Sequence, residues 1–299
     1  MASPSFLSWH PTISVLYAVS ESENTVAAFR REGSRLRQIG FRRSSGSGPC
    51  HIAIHPKGDL AVVSCWGDGT VSTYSLGSDG ALGKRCDLKP VAALRENGLA
   101  AERAQSRAHH AAFQGDGRLI TTDLGLDLIL FWTKQFGRLE LEYEVSLPRG
   151  TGPRHLVVNQ TSGHIYVVTE HSIEVYMLAR SHSTDRYEVV HVTPVFGSTP
   201  DESSAAEISL AGRAIYVTVR GVDRVAVLLI DEVTGQPSPL TSVASGGEWP
   251  RHHLVRGAVL YVANERSHDI STFRLDSHGI PRFQSNFSTG SPTCITTPI

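Results

Sequence analysis

Short runs of β-branched, aliphatic and aromatic residues recur along the chain, separated by polar turns. LYAV (16–19), LAVV (60–63), LITT (119–122), IYVV (165–168), IYVT (215–218) and LYVA (260–263) begin 44, 59, 46, 50 and 45 residues apart. Another such run precedes each of the last five across a turn: HIAIH at 51–55, HAAF at 110–113, HLVV at 155–158, EISL at 207–210 and HHLV at 252–255. A third run follows each (TVAAF, TVSTY, LILFW, IEVYM, VAVLL, ISTFR). Weaker fourth runs close the units, as in RLRQIGF, RLELEYEVSL, RYEVVHVTPV and SPLTSVA. These residue types fit strands, and the Gly, Asp, Asn and Ser between them fit turns. Four strands in a repeat of about 45 residues predict the blades of an all-β propeller. A sandwich would not repeat a four-strand unit six times, and the WD dipeptide of one propeller class is absent. Residues 91–108, which lengthen the second interval, alone have helical propensity and read as a surface loop.

In a blade the first strand is innermost and the second returns beside it. Residues just before the first and just after the second therefore emerge at one end of the hairpin. Symmetry about the turns pairs Arg154 with Glu170, His110 with Asp123, Glu207 with Arg220, and Arg251 with Asn264. The opposite rim carries ordinary turns (QGDG, QTSG, LAG). One rim thus collects Arg154, Arg220 and Arg251 with His110, His155, His252, Glu170 and Glu207. Arginines suit bidentate capture of a carboxylate or phosphate. A His and a Glu beside them can move protons near neutral pH. Asp123, Asp127, Asp223 and Asp269 read as turn caps, and His10 and His55 as structural.

Composition narrows the classes. Of 299 residues, 40% are hydrophobic and 19% charged, with a net charge of -1. That excludes intrinsic disorder and a polybasic nucleic-acid binder. Because 29 acidic residues nearly cancel 28 basic ones, anion specificity must come from a local cluster. No apolar run reaches the roughly 18 residues of a membrane helix, and MASPSFLSWHP does not read as a secretory signal. Four cysteines without CxxC or zinc spacing read as reduced thiols in a cytoplasm. Cys50 and Cys65 flank one hairpin and are expected to be buried small hydrophobes. Residues 45–49 (SGSGP) read as a flexible linker between blades; no helix follows to make them a phosphate loop. Arginines on the rim repel cations, acidic residues are too dispersed for calcium, and no zinc triad is visible. No metal or cofactor is expected.

GPCHIAIHPKGDLAVV (48–63), HHAAFQGDGRLITTDLGLD (109–127), GPRHLVVN (152–159) with VVTE (167–170), AAEISLAGRAIYVTVRGVD (205–223) and PRHHLVRGAVLYVANERSHD (250–269) resemble the propeller-type lactonase family. That family includes 6-phosphogluconolactonases and 3-carboxy-cis,cis-muconate lactonizing enzymes. The resemblance covers nearly the whole chain in order. It implies that His110, Arg154, Glu170 and Arg220 line an active site; Arg251, His155, His252 and Glu207, gathered on the same rim by the hairpin geometry, are expected to bind substrate. Two departures stand out. Ala108 takes the place of the first histidine of a His-x-His pair. PSFLSWHPTISVLYAVSE (4–21) resembles a segment that the family reaches only after several earlier strands. SPTCITTPI (291–299) reads as the first strand of a further blade.

The expectation is therefore one domain, 1–299, of the seven-bladed β-propeller type, with six complete four-stranded blades and an incomplete closing blade. The expected activity is hydrolysis of a small anionic sugar lactone resembling 6-phosphogluconolactone. The alternatives are a cycloisomerase acting on a muconate-like diacid, or a non-catalytic binding scaffold. The expected partner is that small lactone or diacid, with no nucleic acid and no membrane. The open edge of an incomplete blade invites self-association.

Overall fold

The computed structural model describes residues 1, 3–88, 105–135, 138–197 and 202–298. Most of the segment read as a surface loop, 91–104, lies outside the described residues, whereas Ala108 already belongs to a strand. The described residues form twenty-four strands, β1–β24, and no helix. Each sheet consists of four consecutive antiparallel strands in chain order, so the fold is an all-β propeller with six four-stranded blades. The first two strands of the blades are β1 (Phe6–Trp9) with β2 (Val15–Ser20), β5 (Pro49–Ile54) with β6 (Leu60–Cys65), and β9 (Ala108–Phe113) with β10 (Leu119–Asp123). They continue as β13 (Pro153–Val158) with β14 (Ile165–Thr169), β17 (Ser204–Ala211) with β18 (Ala214–Arg220), and β21 (Pro250–Arg256) with β22 (Val259–Asn264).

The chain packs as two compact units, Met1–Arg149 with Thr296–Ile299, and Gly150–Ile295. Within the first, β1, β5 and β9 lie side by side; within the second, β13, β17 and β21 do. The second strand of each blade is the most deeply buried, and its side chains help to fill the space between neighbouring sheets. Tyr17, Val19, Val63 and Tyr74 pack together in the first unit, and Tyr166, Val168, Ile208 and Val217 in the second. Burying a tyrosine requires a partner for its hydroxyl. Tyr17, Tyr166 and Tyr216 each donate to a glycine carbonyl of the following blade, Gly80, Gly235 and Gly279, at 2.9, 2.7 and 2.7 Å.

Two expectations need correction. Residues 291–298 form no strand; instead the Ser291 and Ile295 N–H groups donate to His268 Nδ1 and His252 Nδ1. Residues 45–49 are a packed connection rather than a loose linker. Ser47 N–H donates to Asp68 and Gly48 N–H to Asn24. A Cβ on Gly46 would sit 2.5 Å from Asp68 Oδ1 and 2.8 Å from Cys65 Cβ. The glycine is there because nothing larger fits.

Asp123 caps its turn, its Oδ1 accepting the N–H groups of Gly125 and Leu126 as well as that of Arg107. Asp223 Oδ1 instead accepts the N–H of Trp249 from a distant connection, and Asp269 Oδ1 accepts from the Asn264 amide. His10 bonds the Gly58 carbonyl and His55 pairs with Asp59. Cys50 and Cys65 are buried thiols.

Candidate active site

The first strand of five blades carries a β-bulge near its start, and this is what aims the rim residues. The register jumps between Pro49 and His51, beside His109, between Pro153 and His155, between Ala205 and Ile208, and between Pro250 and His252. A bulge puts two residues opposite one and redirects a side chain. The extra residues are Cys50, His109, Arg154, Ala206 and Arg251. The simple symmetry about the turns therefore fails by one to three residues: Asp123 pairs with Ala108 rather than His110, Arg220 with Ser204 rather than Glu207, and Asn264 with Pro250 rather than Arg251. Threonines in the opposite strand satisfy the N–H groups that two of the bulges displace. His110 N–H donates to Thr122 Oγ1 and Glu207 N–H to Thr218 Oγ1, both at 3.1 Å. His51, His110, His155, Glu207 and His252 thus occupy one equivalent position in five blades.

In the second unit these positions assemble an ionic cluster. Arg154 Nε donates to Glu170 Oε2 at 2.9 Å, and Arg220 Nη2 reaches the same oxygen at 3.0 Å. Arg154 Nη1 also donates to the Ala206 carbonyl, and Arg220 Nη2 to that of Ala205 at 3.1 Å. Arg154 is 3% exposed and Arg220 7%. Glu170 Oε1 accepts no hydrogen bond among the described residues, and its side chain is 20% exposed. The Arg220 Nε–H is buried and has no acceptor among the described residues. The Arg220 guanidinium lies 5.4 Å from the Trp249 ring, which Arg266 covers at 3.3 Å. Beside it, Ser203, Asp223, Glu248, Trp249 and Arg266 help to line a cavity of about 450 Å³.

Glu207 forms the other half. Its Oε2 lies 2.9 Å from His155 Nδ1 and 3.3 Å from His252 Nε2. Arg251 stands at the edge, pairing with Glu265 at 3.4 Å.

Electrostatics follow from burial and these pairings. Burial works to raise the Glu170 carboxyl, but Arg154, Arg220 and His171 outweigh it and hold it below its ordinary value. Burial, then Arg220 and Arg251, lower the Arg154 guanidinium to about 10 despite Glu170 and Glu207. Arg220 is lowered by burial and Arg251. Burial, with Arg154 adding to it and Glu207 opposing, lowers His252. Near neutral pH Glu170 is thus ionised, both arginines are cationic and His252 is a neutral imidazole.

The structure therefore brings together Arg154, Glu170, Arg220, Glu207, His155 and His252, with Arg251 beside them. His110 belongs to the first unit, where its ring packs at a tilt against that of His51 with centroids 4.1 Å apart, and His51 in turn meets Phe6 at 4.1 Å. Sequence reasoning missed His51, Thr122, Thr218 and Trp249. The repeated P-x-H of Pro49–His51, Pro153–His155 and Pro250–His252 was the signal that could have aligned the bulges and found His51.

Among the described residues, no group of three or more His, Cys, Asp or Glu side chains could hold a metal ion. No helix there is long and apolar enough to cross a membrane.

A family model described as lactonase, 7-bladed beta-propeller, matches residues 1–297. The chain is similar to a 6-phosphogluconolactonase of Bacillus subtilis, with 23% identity over 309 residues, 99% of this chain and 87% of the relative. A 6-phosphogluconolactonase of Formosa agariphila is 25% identical, the match spanning 91% of this chain and 81% of that one. Among solved structures, the periplasmic gluconolactonase of Pseudomonas aeruginosa superposes with a TM-score of 0.84 at 22% identity. That superposition covers 97% of this chain and 86% of the other.

Proposed function

The chain belongs to the seven-bladed β-propeller lactonase family, and on that premise we propose that it hydrolyses a small anionic sugar lactone of the 6-phosphogluconolactone type at the ionic cluster of its second unit. The relatives named 6-phosphogluconolactonase support the substrate class. The observation that carries the reading is a part-exposed carboxylate between two buried cations: Arg154 and Arg220 hold Glu170 through Oε2 at 2.9 and 3.0 Å, while its side chain is 20% exposed.

Arg220 takes the phosphate, and Arg154, which shares Glu170 Oε2 with it, supports it. Glu170 is clamped through Oε2 and presents Oε1 to water. That oxygen accepts a proton as the water oxygen adds to the lactone carbonyl, and the arginines stabilise the oxyanion that forms. Collapse breaks the bond from the carbonyl carbon to the ring oxygen. The leaving oxygen recovers the proton from Glu170, giving a carboxylic acid, which ionises, and a free hydroxyl. The scheme uses residues of the second unit alone.

The test is the initial rate on 6-phosphogluconolactone, corrected for spontaneous opening, for the wild type and Glu170→Gln. The amide cannot accept the proton, so kcat should fall roughly 10²–10⁴-fold with KM little changed. A wild type inert on this lactone and on a carboxymuconolactone panel would refute the enzyme reading. Unchanged kcat in the variant would refute the role of Glu170.

A further inference from the structure

The bulge of β17 holds two consecutive side chains of the neighbouring sheet at once. Its Ala206 carbonyl accepts from Arg154 Nη1, and its Glu207 Oε2 accepts from His155 Nδ1. The same oxygen faces His252 Nε2 at 3.3 Å, while His252 Nδ1 accepts the N–H of Ile295 at 3.3 Å. A ring nitrogen that accepts carries a lone pair, so the proton of neutral His252 sits on Nε2 and points at Glu207. A carboxylate oxygen only accepts, so His155 carries its proton on Nδ1. Glu207 Oε1 is itself tied down by the Ile208 N–H at 3.1 Å.

One carboxylate thus sets both tautomers. Glu170 is occupied by the arginines, and Glu265 pairs with Arg251. The charged groups acting on His252 are Glu207 and Arg154, with burial dominant. The next residue, His253, is pushed down to about 4 by burial and His252, against the pull of Glu207, and bonds Ser209.

We propose that Glu207 is a positioning residue for the reaction: by anchoring His155 and His252 through one oxygen it fixes the bulge that presents Arg154 to Glu170 and to the substrate anion. The proposal rests on the lactonase reading and adds to it a residue that touches no substrate. Glutamine cannot replace Glu207. If its carbonyl faces the histidines, its amide meets the Ile208 N–H; turned round, it meets the two imidazole N–H groups.

The experiment combines steady-state kinetics with ¹⁵N spectra of the histidine rings, for the wild type, Glu207→Gln, His155→Gln and the double variant. In the wild type His155 should be a pure Nδ1–H tautomer and His252 a pure Nε2–H tautomer. In Glu207→Gln both should exchange tautomers, and kcat should fall about 100-fold, the scale of a misplaced catalytic group. KM should hold or fall, because the variant loses an anion that compensates Arg154. Since Glu207 acts through His155, the double variant should be no worse than about threefold below the weaker single one.

Mixed tautomers in the wild type, or single-variant losses that multiply, would overturn the proposal. So would an unchanged kcat alongside altered tautomers. The wild-type spectra decide the anchoring even if a variant does not fold. A wild type without lactonase activity refutes the underlying reading instead, and the spectra distinguish the two failures.

Discussion

In the unit formed by residues 1–149 the bulge residues are Cys50 and His109, and the positions after them, His51 and His110, continue a row of tilted, packed rings from Phe6. In the unit formed by residues 150–295 the bulge residues are Arg154, Ala206 and Arg251, followed by His155, Glu207 and His252, which hold ion pairs and hydrogen bonds. The hairpins are built alike, down to the threonines that satisfy the displaced N–H groups. The backbone device is therefore generic and only aims a side chain; the residue placed on it decides the chemistry. Cys50 on its bulge donates to the backbone carbonyl of His109 at 3.4 Å, a structural contact. Arg154 on the same bulge meets a carboxylate.

The largest expected difference between the units comes from truncating equivalent bulge residues. Arg154→Ala leaves Glu170 with Arg220 alone, so stability should fall by about 3 kcal/mol, the low end for breaking a buried pair. The accompanying loss in kcat/KM should be roughly 10²–10³-fold. Cys50→Ala should cost about 1 kcal/mol and leave turnover within roughly twofold. Thermal melts with steady-state kinetics check both. Comparable losses in activity at the two sites would mean that the first unit contributes as much as the second.

A smaller difference is expected in the response to acid. The Glu170 carboxyl is held below its ordinary value, so its contribution to stability is present above the unfolded carboxyl range and fades as pH falls through the lowered value. His253, pushed down from 6.5 to about 4, acts in the same sense. Between those values the unfolded chain takes the proton and the fold does not. Asp123 in the first unit runs the other way. Burial raises its carboxyl in spite of its four hydrogen-bond donors, so its contribution is full at low pH and is lost as pH rises through the raised value. Hydrogen exchange at about pH 4.5, compared with pH 7 after correction for intrinsic rates, should show roughly tenfold greater loss of protection in β13–β14 and β17–β18 than in β9–β10. Equal loss would mean that these buried groups do not control the units separately.

Much of this architecture was legible because strands obey a period and propeller repeats obey a length. LYAV, LITT and IYVT are second strands for the reason that made them visible: their aliphatic, aromatic and β-branched residues suit burial on both faces, and the runs end in turns. Grouping Arg154, Glu170 and Arg220 needed only the direction of a hairpin. Bulges are harder to read, since nothing in AAEIS states that Ala206 and Glu207 share one opposing residue, Thr218. Residues 45–49 misled because glycine and serine make a loose linker and a tightly packed corner with the same composition. SPTCITTPI misled because a β-rich run forms a strand only where an edge of matching register receives it. Its Ile295 N–H instead meets a histidine ring.

The central claim is that the anion-recognising charge lies in the second unit and is read by Arg220. The most direct test compares kcat/KM on 6-phosphogluconolactone and on unphosphorylated gluconolactone, for the wild type and Arg220→Ala. The wild type should prefer the phosphorylated lactone by about 10–100-fold, the worth of one charge-assisted contact, and Arg220→Ala should bring the two within roughly threefold. An undiminished preference in Arg220→Ala, or no preference in the wild type, would contradict the account.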